Sequence, residues 1–289
     1  MANYAKEFIV KPGDKIKLKD VRTDFHGDFK SHKKAKPEIG KHLIKMDELQ
    51  YLMYAEHRHS MLIILQGLDT AGKDGVIRHV LTGLNPQGSI VTGFKQPTPQ
   101  ELDHDFLWRV HAHCPAKGAV AIFNRSDYED VLITRVHKKI SEKECADRFE
   151  LINDFEKLLV NENRTTILKF FLHISKEEQL ERFGDRLKDP SRHWKISDSD
   201  YKERQYWDRY MKAYEDVLAN TSTKHAPWYV IPSDHKWFRN LAISQIITKS
   251  LESLEMKVPP ATVNIEKIRR KYHLAKMEQK SKKTKSGFR

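Results

Sequence analysis

MLIILQGLDTAGKDG, residues 61–75, sets an apolar run against a glycine-rich turn, and the order of the two decides the fold. Met61 to Leu65 is continuous and apolar, as a buried strand is. Beyond the turn, Val76, Ile77, Val80 and Leu81 recur at helical spacing. Strand, glycine loop and helix start, in that order, are the context a phosphate-binding loop requires. Glycines at 67, 72 and 75 let backbone N–H groups close around phosphate oxygens, and the helix N-terminus adds partial positive charge. Lys73 reaches a terminal phosphate as a point charge. The loop departs from G-x-x-x-x-G-K-[ST] at one position: Asp74 stands where a Mg²⁺-ligating hydroxyl is usual. The plainer alternative is an ordinary strand–turn–helix with a Gly-rich turn.

A chain of 289 residues can bury a sizeable core and is most simply one α/β domain with additions. No apolar run approaches the roughly 18 residues that span a bilayer. The opening MANYAKEFIVKPGDK lacks the apolar core of a signal peptide, so the expected compartment is the cytoplasm, with no membrane partner. Cys114 and Cys145 have no companions at metal-ligand spacing, and no disulfide is expected there. The net charge of +12 is unevenly placed, with eleven Lys/Arg against two Glu between Met256 and Arg289. Such a tail is solvated, packs as one helix, or contacts a polyanion by releasing counterions. Aromatics are not interleaved with its cations as stacking platforms, so nucleic acid is not an expected partner.

Three zones are expected: an irregular polar arm over 1–39, a core over 40–255 and the basic tail over 256–289. Leu43, Ile44, Met46, Leu49, Leu52 and Met53 fall largely on one face and predict a helix over 40–58. Five apolar runs predict strands at 61–66, 89–94, 119–123, 166–172 and 228–231. Helical patterns lie at 73–84, 99–111, 128–138, 146–160, 176–188, 200–218 and 237–254. This alternation predicts a parallel sheet covered on both faces, with ligands at the carboxyl ends of the strands.

The third strand end is the richest: Asn124, Arg125, Ser126, Asp127, Tyr128, Glu129 and Asp130. Carboxylates that hold Mg²⁺ and an Arg that offsets developing charge are what phosphoryl transfer needs. A polar helix cap, with Ser126 or Asp127 as N-cap, is the structural alternative. The second strand end supplies Lys95. After the fourth strand, Arg182 and Arg186 lie about one helical turn apart, and Pro190 ends their helix. Lys188, Arg192, Trp194 and Lys195 follow in a loop. Five cations around an indole predict a mobile lid, at about 182–212, that closes over phosphates and excludes water. A solvated charged face is the alternative.

These segments together resemble the polyphosphate kinase 2 family, phosphotransferases that move phosphoryl groups between inorganic polyphosphate and nucleotides. GLDTAGKDG at 67–75, FNRSDYEDV at 123–131 and RLKDPSRHWKISDSDYKERQYWDRY at 186–210 carry the resemblance, which spans about 40–255. It implies a P-loop kinase-like α/β/α fold with a five-stranded parallel sheet and a helical lid. It makes Lys73 and the loop amides a phosphate cradle, and Asp69 the carboxylate that organises Mg²⁺, with Mn²⁺ as a substitute. Glu129 and Asp130 are further metal candidates. Arg125 becomes a phosphate ligand at the transfer point, and Arg182, Arg186 and the loop cations become lid contacts. Asn124 stands where many such enzymes have Asp, a weaker metal ligand. The wording Tyr128-Glu129-Asp130 is closer to members accepting both nucleoside mono- and diphosphates. Adenine or guanine nucleotides, polyphosphate and a homo-oligomer, dimer or tetramer, are the implied partners. The rival readings are an ATP-dependent nucleoside monophosphate kinase of the thymidylate kinase type and a P-loop regulator that hydrolyses nucleotide to switch partners. Because the attacking group is an ionised phosphate oxygen, no general base is needed among the histidines.

Overall fold

In the computed structural model, which describes residues 2–286 and the side chains of 2–279, the run that opens the argument is β1 (Ser60–Gln66), buried along its whole length. Four more strands join it: β2 (Ser89–Gly93), β3 (Val120–Asn124), β4 (Thr165–His173) and β5 (Trp228–Pro232). All pair in parallel, in the order β2-β3-β1-β4-β5. The side chains obey the period of two. Met61, Ile63, Leu65, Phe170 and Leu172 enter one apolar core, whereas Leu62, Ile64, Phe123, Ile167 and Phe171 enter the other. Two cores on opposite faces of one sheet make the three-layer α/β/α architecture expected from the strand–helix alternation.

Near the N-terminus lie α1 (Tyr4–Phe8) and α2 (His32–Glu56). The expected irregular arm is therefore only partly irregular. Tyr4, Val10 and Leu18 are buried, and His173 at the end of β4 bonds through Nε2 with the Leu18 carbonyl. The pattern alone started α2 too late because its first turns bury only Ala35 and Ile39 among lysines. After β1 comes α3 (Lys73–His79), followed by a 3-10 turn over Leu81–Gly83. The helix expected over 99–111 is two short pieces, α4 (Pro99–Leu102) and α5 (Trp108–His111). Asp105 Oδ1 accepts from the Leu107 N–H, a local bond that competes with helix continuation.

Between β3 and β4 run α6 (Glu129–Val136) and α7 (Glu142–Asn163), the latter opened by a Ser141/Glu144 capping box. After β4 come α8 (Lys176–Lys188), a 3-10 segment (Pro190–Lys195), α9 (Asp198–Arg204) and α10 (Trp207–Thr221). The helix expected over 200–218 thus breaks at Gln205–Tyr206. Finally α11 (Lys236–Glu252) is buried over most of its length and shares a core with α2. From Lys257 the described residues form a second compact unit carrying α12 (Ile265–Ser286), and 287–289 at the end of the basic tail lie outside the described residues. Among the described residues no helix is long and apolar enough to cross a membrane.

Candidate active site

The loop between β1 and α3 turns sharply at Gly67, whose φ of +154° few side chains tolerate. A Cβ there would lie 2.9 Å from the Leu172 carbonyl oxygen of β4, so glycine is what lets the loop leave the sheet against its neighbour. Thr70 and Gly72 also have positive φ. Strain of this kind collects where a backbone must present its amides to a ligand. Lys73 folds back over the loop, Nζ donating to the Gly67 carbonyl at 2.6 Å and to that of Leu68 at 3.3 Å. Burial, and then the nearby Arg125 charge, pull its ammonium down to about 8.

Beside β1, β3 delivers Asn124 and Arg125 to the same edge. Arg125 is itself in the left-handed region (φ +66°), and its N–H donates to the Leu65 carbonyl of β1. Its guanidinium meets Asp69 at 2.8 Å and Glu129 at 3.5 Å. Burial opposes the charge, but the two carboxylates outweigh it and hold Arg125 above its ordinary range. The two departures noted in the sequence explain each other. Asn124 Nδ2 donates to Asp74 Oδ1 at 3.0 Å. A carboxylate at 124 would face Asp74 charge to charge, whereas the amide binds it. Lys195 closes the arrangement from the far side, at 2.9 Å from Asp74 Oδ2. Burial opposes its charge, but those two hydrogen bonds, together with the Lys195 and Lys73 charges, keep Asp74 below the usual carboxylate range.

These groups line a cleft of about 730 Å³ whose walls carry nine Lys/Arg against four Asp. Lys73, Lys95, Asn124, Arg125, Arg186, Arg192, Trp194 and Lys195 all reach it. Arg182 also borders it, but as a brace rather than a free cation. It is 5% exposed, paired to Glu178 at 2.6 Å, and its guanidinium donates to the carbonyls of Thr70, Ala71, Ser233 and Asp234. Two further cations of the 182–195 segment are tied as well: Arg186 to Asp200 at 3.2 Å and Arg192 to Asp189 at 2.8 Å. Trp194 is 78% exposed, with the Lys195 ammonium 4.9 Å from its ring centre.

Three of the expected site residues are not brought to the cleft. Tyr128 is fully buried, and its hydroxyl donates to Glu156 at 2.8 Å and accepts from Lys169 at 2.8 Å. One residue beyond Asp127, the turn into α6 sends it into the apolar core, where its ring meets that of Trp228. Asp130 faces Arg109 and Arg148 on the outer side of α6, where burial pushes its carboxyl up to about 6. Lys188 is exposed at the end of α8 and does not line the cleft. Glu129 does belong here, in a smaller cavity of about 50 Å³ that it shares with Asp69, Arg125 and Asp200. Ser126 bonds to the Tyr128 N–H, while Tyr128 holds the N-cap position of α6.

Sequence reasoning passed over Arg78, Lys236 and Arg239. Lys236 and Arg239 follow β5, and the strand-end rule that found the others leads to them. Lys169 was also hidden, because a lysine inside an apolar strand run carries no motif. No group of three or more His, Cys, Asp or Glu among the described residues is arranged to hold a metal by itself. Asp69 Oδ1 is engaged by Arg125, and the carboxylate opens to both cavities. A hard cation held by one or two carboxylates and completed by phosphate oxygens and water fits that donor set.

The family model of polyphosphate kinase 2 matches residues 29–259. The chain is 45% identical over 264 residues to the AMP/ADP-polyphosphate phosphotransferase of Meiothermus ruber, covering 91% of this chain and 98% of that one. It is 44% identical to the ADP-polyphosphate phosphotransferase of Rhodopseudomonas palustris, covering 89% and 93%. Among solved structures, the polyphosphate kinase 2 of Arthrobacter aurescens TC1 superposes with a TM-score of 0.89 at 39% identity, covering 93% and 96%.

Proposed function

The chain belongs to the polyphosphate kinase 2 family and transfers phosphoryl groups between polyphosphate and nucleotides; we propose that it does so in the cleft between the 67–75 loop, the end of β3 and the 186–195 segment. The observation that supports this placement is the convergence of Lys73, Arg125 and Asp69 at the mouth of a cleft with a large excess of cations. Donor and acceptor are both phosphate chains, so the protein's task is positioning and neutralisation. The loop amides and Lys73 hold one phosphate chain against β1. Arg125, poised between Asp69 and Glu129, turns to the equatorial oxygens of the phosphoryl group in flight. An acceptor phosphate oxygen attacks the terminal phosphorus, the bridging P–O bond breaks, and the shortened chain leaves with the electron pair. Asp69, with Glu129 beside it, would hold Mg²⁺, which would supply neutralisation of the charge developing on the phosphates.

The 186–204 segment acts as the lid. It closes through Lys195 and Asp74, brings Arg186 and Arg192 over the phosphates, and presents Trp194 to stack on a base or seal the cleft. Both AMP and ADP are accepted, the second carboxylate at Glu129 helping to position an acceptor with one phosphate fewer. A nucleoside monophosphate kinase and a nucleotide-hydrolysing regulator both require a nucleoside triphosphate. The decisive test mixes purified protein, Mg²⁺, polyphosphate and either AMP or ADP, with no ATP added. ATP should form from ADP only when polyphosphate is present, and AMP should pass through ADP to ATP. No polyphosphate-dependent product would refute the reading; ADP accumulating from AMP without ATP would refute dual acceptance alone.

A further inference from the structure

Packed under Gly72 and Gly75 of the phosphate loop, and not among the residues that line the cleft, lies Arg239 in the first turns of α11. It is 2% exposed. Nη1 donates to the Ala71 carbonyl at 3.2 Å, and Nε and Nη2 donate to the side-chain oxygen of Asn240 at 3.2 and 2.9 Å. No carboxylate pairs with it among the described residues. The charge that bears on it is that of another cation, Arg182, which donates to the same Ala71 carbonyl at 3.2 Å. Burial, and then Arg182, pull the guanidinium down to about 9, the mark of a charge whose surroundings do not compensate it.

The loop is shaped to admit this group. A Cβ on Gly72 would sit 1.8 Å from Arg239 Nη1, and one on Gly75 would sit 2.8 Å from Nη2. Two glycines of the motif therefore do more than bend the chain around phosphate. They leave the space that a guanidinium fills from below. An isolated buried cation costs stability unless something offsets it. Within the loop directly above, the one group of opposite sign that the site is built to receive is a phosphate.

We propose that Arg239 is a positioning residue of the phosphate site: it props the Ala71–Gly75 turn from beneath and takes its countercharge, through the loop backbone, from the phosphate bound above. The inference rests on the reading of this loop as the phosphate cradle. It makes affinity and stability move in opposite directions. A bound phosphate repays a cost that the ligand-free protein carries, which is linkage between ligand binding and folding. A brace with no electrostatic role would lower stability and leave phosphate affinity alone.

Three full-chain variants separate charge from hydrogen bonding: Arg239→Lys keeps the charge, Arg239→Gln keeps a donor for Ala71, and Arg239→Met keeps neither. Melting temperature is measured without ligand and across a titration of tripolyphosphate with Mg²⁺, and KM for polyphosphate is measured beside kcat. In the expected result affinity follows charge. Arg239→Lys stays near wild type, while Arg239→Gln and Arg239→Met bind tripolyphosphate roughly tenfold more weakly, as loss of one partly shielded charge near the ligand predicts. Their ligand-free melting temperatures equal or exceed that of wild type, and the loss appears mainly in KM. Arg239→Gln binding like wild type, or equal affinity in all folded variants, would overturn the inference and leave the functional reading standing. Wild-type protein that tripolyphosphate does not stabilise would overturn both.

Discussion

Lys73 sits where two demands conflict. In the proposed site its ammonium meets phosphate, yet it is buried and its charge is disfavoured in the ligand-free protein. Its acidity is shifted from 10.5 to about 8, so the unfolded chain binds more protons than the folded one between those values. Stability from this residue therefore rises with pH across that window, and below pH 8 the charged lysine is a burden. Lys73→Met should accordingly leave the ligand-free melting temperature at pH 7 unchanged or higher. It should also lower kcat/KM by at least about a hundredfold, the scale of losing one transition-state donor. A folded variant with near wild-type turnover would remove Lys73 from the site. In wild type, affinity for polyphosphate should weaken above pH 8 as the free enzyme's ammonium deprotonates, which a pH series of KM reads directly. Asp69 acts twice, as a proposed metal ligand and as the anchor of Arg125 at 2.8 Å. Asp69→Asn should raise the Mg²⁺ concentration needed for half-maximal rate and recover only partly at high Mg²⁺. An unchanged requirement at normal rate would exclude it.

At the scale of elements, Arg186, Arg192 and Lys195 do not face one another as unpaired cations, because Asp200, Asp189 and Asp74 sit among them. The Lys195–Asp74 pair is largely exposed on its aspartate side and is worth under about 1 kcal/mol. Breaking this contact is therefore cheap. Lys195→Ala should increase protease cutting between Lys188 and Lys195, and polyphosphate with Mg²⁺ should suppress it in wild type. Equal cutting with and without saturating ligand would argue against a lid. The element beneath Arg125 is held differently. Lys169 Nζ bonds to Glu156 at 2.6 Å, to Tyr128 and to the Thr221 carbonyl, joining β4, α7, α10 and the chain entering α6. One buried lysine cannot neutralise both Glu156 and Asp127. Burial, with Glu156 adding to it, pushes Asp127 up to about 7. The folded state thus keeps a proton that the unfolded chain loses near pH 4, and this contribution to stability disappears as pH rises through 7. Relative to wild type, Asp127→Asn should gain stability between pH 5 and pH 8, by on the order of 3 kcal/mol. Parallel denaturation curves at the two pH values test it.

The whole molecule carries a net charge of +12, with much of the excess in the cleft walls and the C-terminal tail. A polyanionic donor should therefore bind with steep salt dependence, whereas the nucleotide's base adds a contribution that salt affects less. KM for long polyphosphate should rise markedly between low and moderate salt, and KM for nucleotide should rise less. The tail forms its own compact unit with α12, and whether its cations join the phosphate track is a question of chain length. Deleting residues from Leu274 onward should raise KM for long polyphosphate and barely change it for short chains if they do. Equal changes for both lengths would assign the tail to stability or assembly.

The five strands, the glycine loop after β1 and the basic segment after β4 were legible in the chain itself, because each depends on local order: apolar runs, glycines at fixed offsets, cations one helical turn apart. Asp69, Lys73 and Arg125 could be named for the same reason, as strand ends in a parallel sheet collect at one edge. What local order could not fix was direction and pairing. Tyr128 and Glu129 are neighbours in sequence, yet one enters the core to meet Lys169 and the other faces Arg125. Arg182 reads as a mobile cation until Thr70, Ala71, Ser233 and Asp234 are seen to offer it four carbonyls from two distant loops. Gly72 and Gly75 make room for Arg239, far along the chain, which no local pattern shows. Such pairings come from the order in which β1, β3, β4 and β5 stack side by side, and a hydrogen bond or a buried charge finds its partner only after that packing is complete.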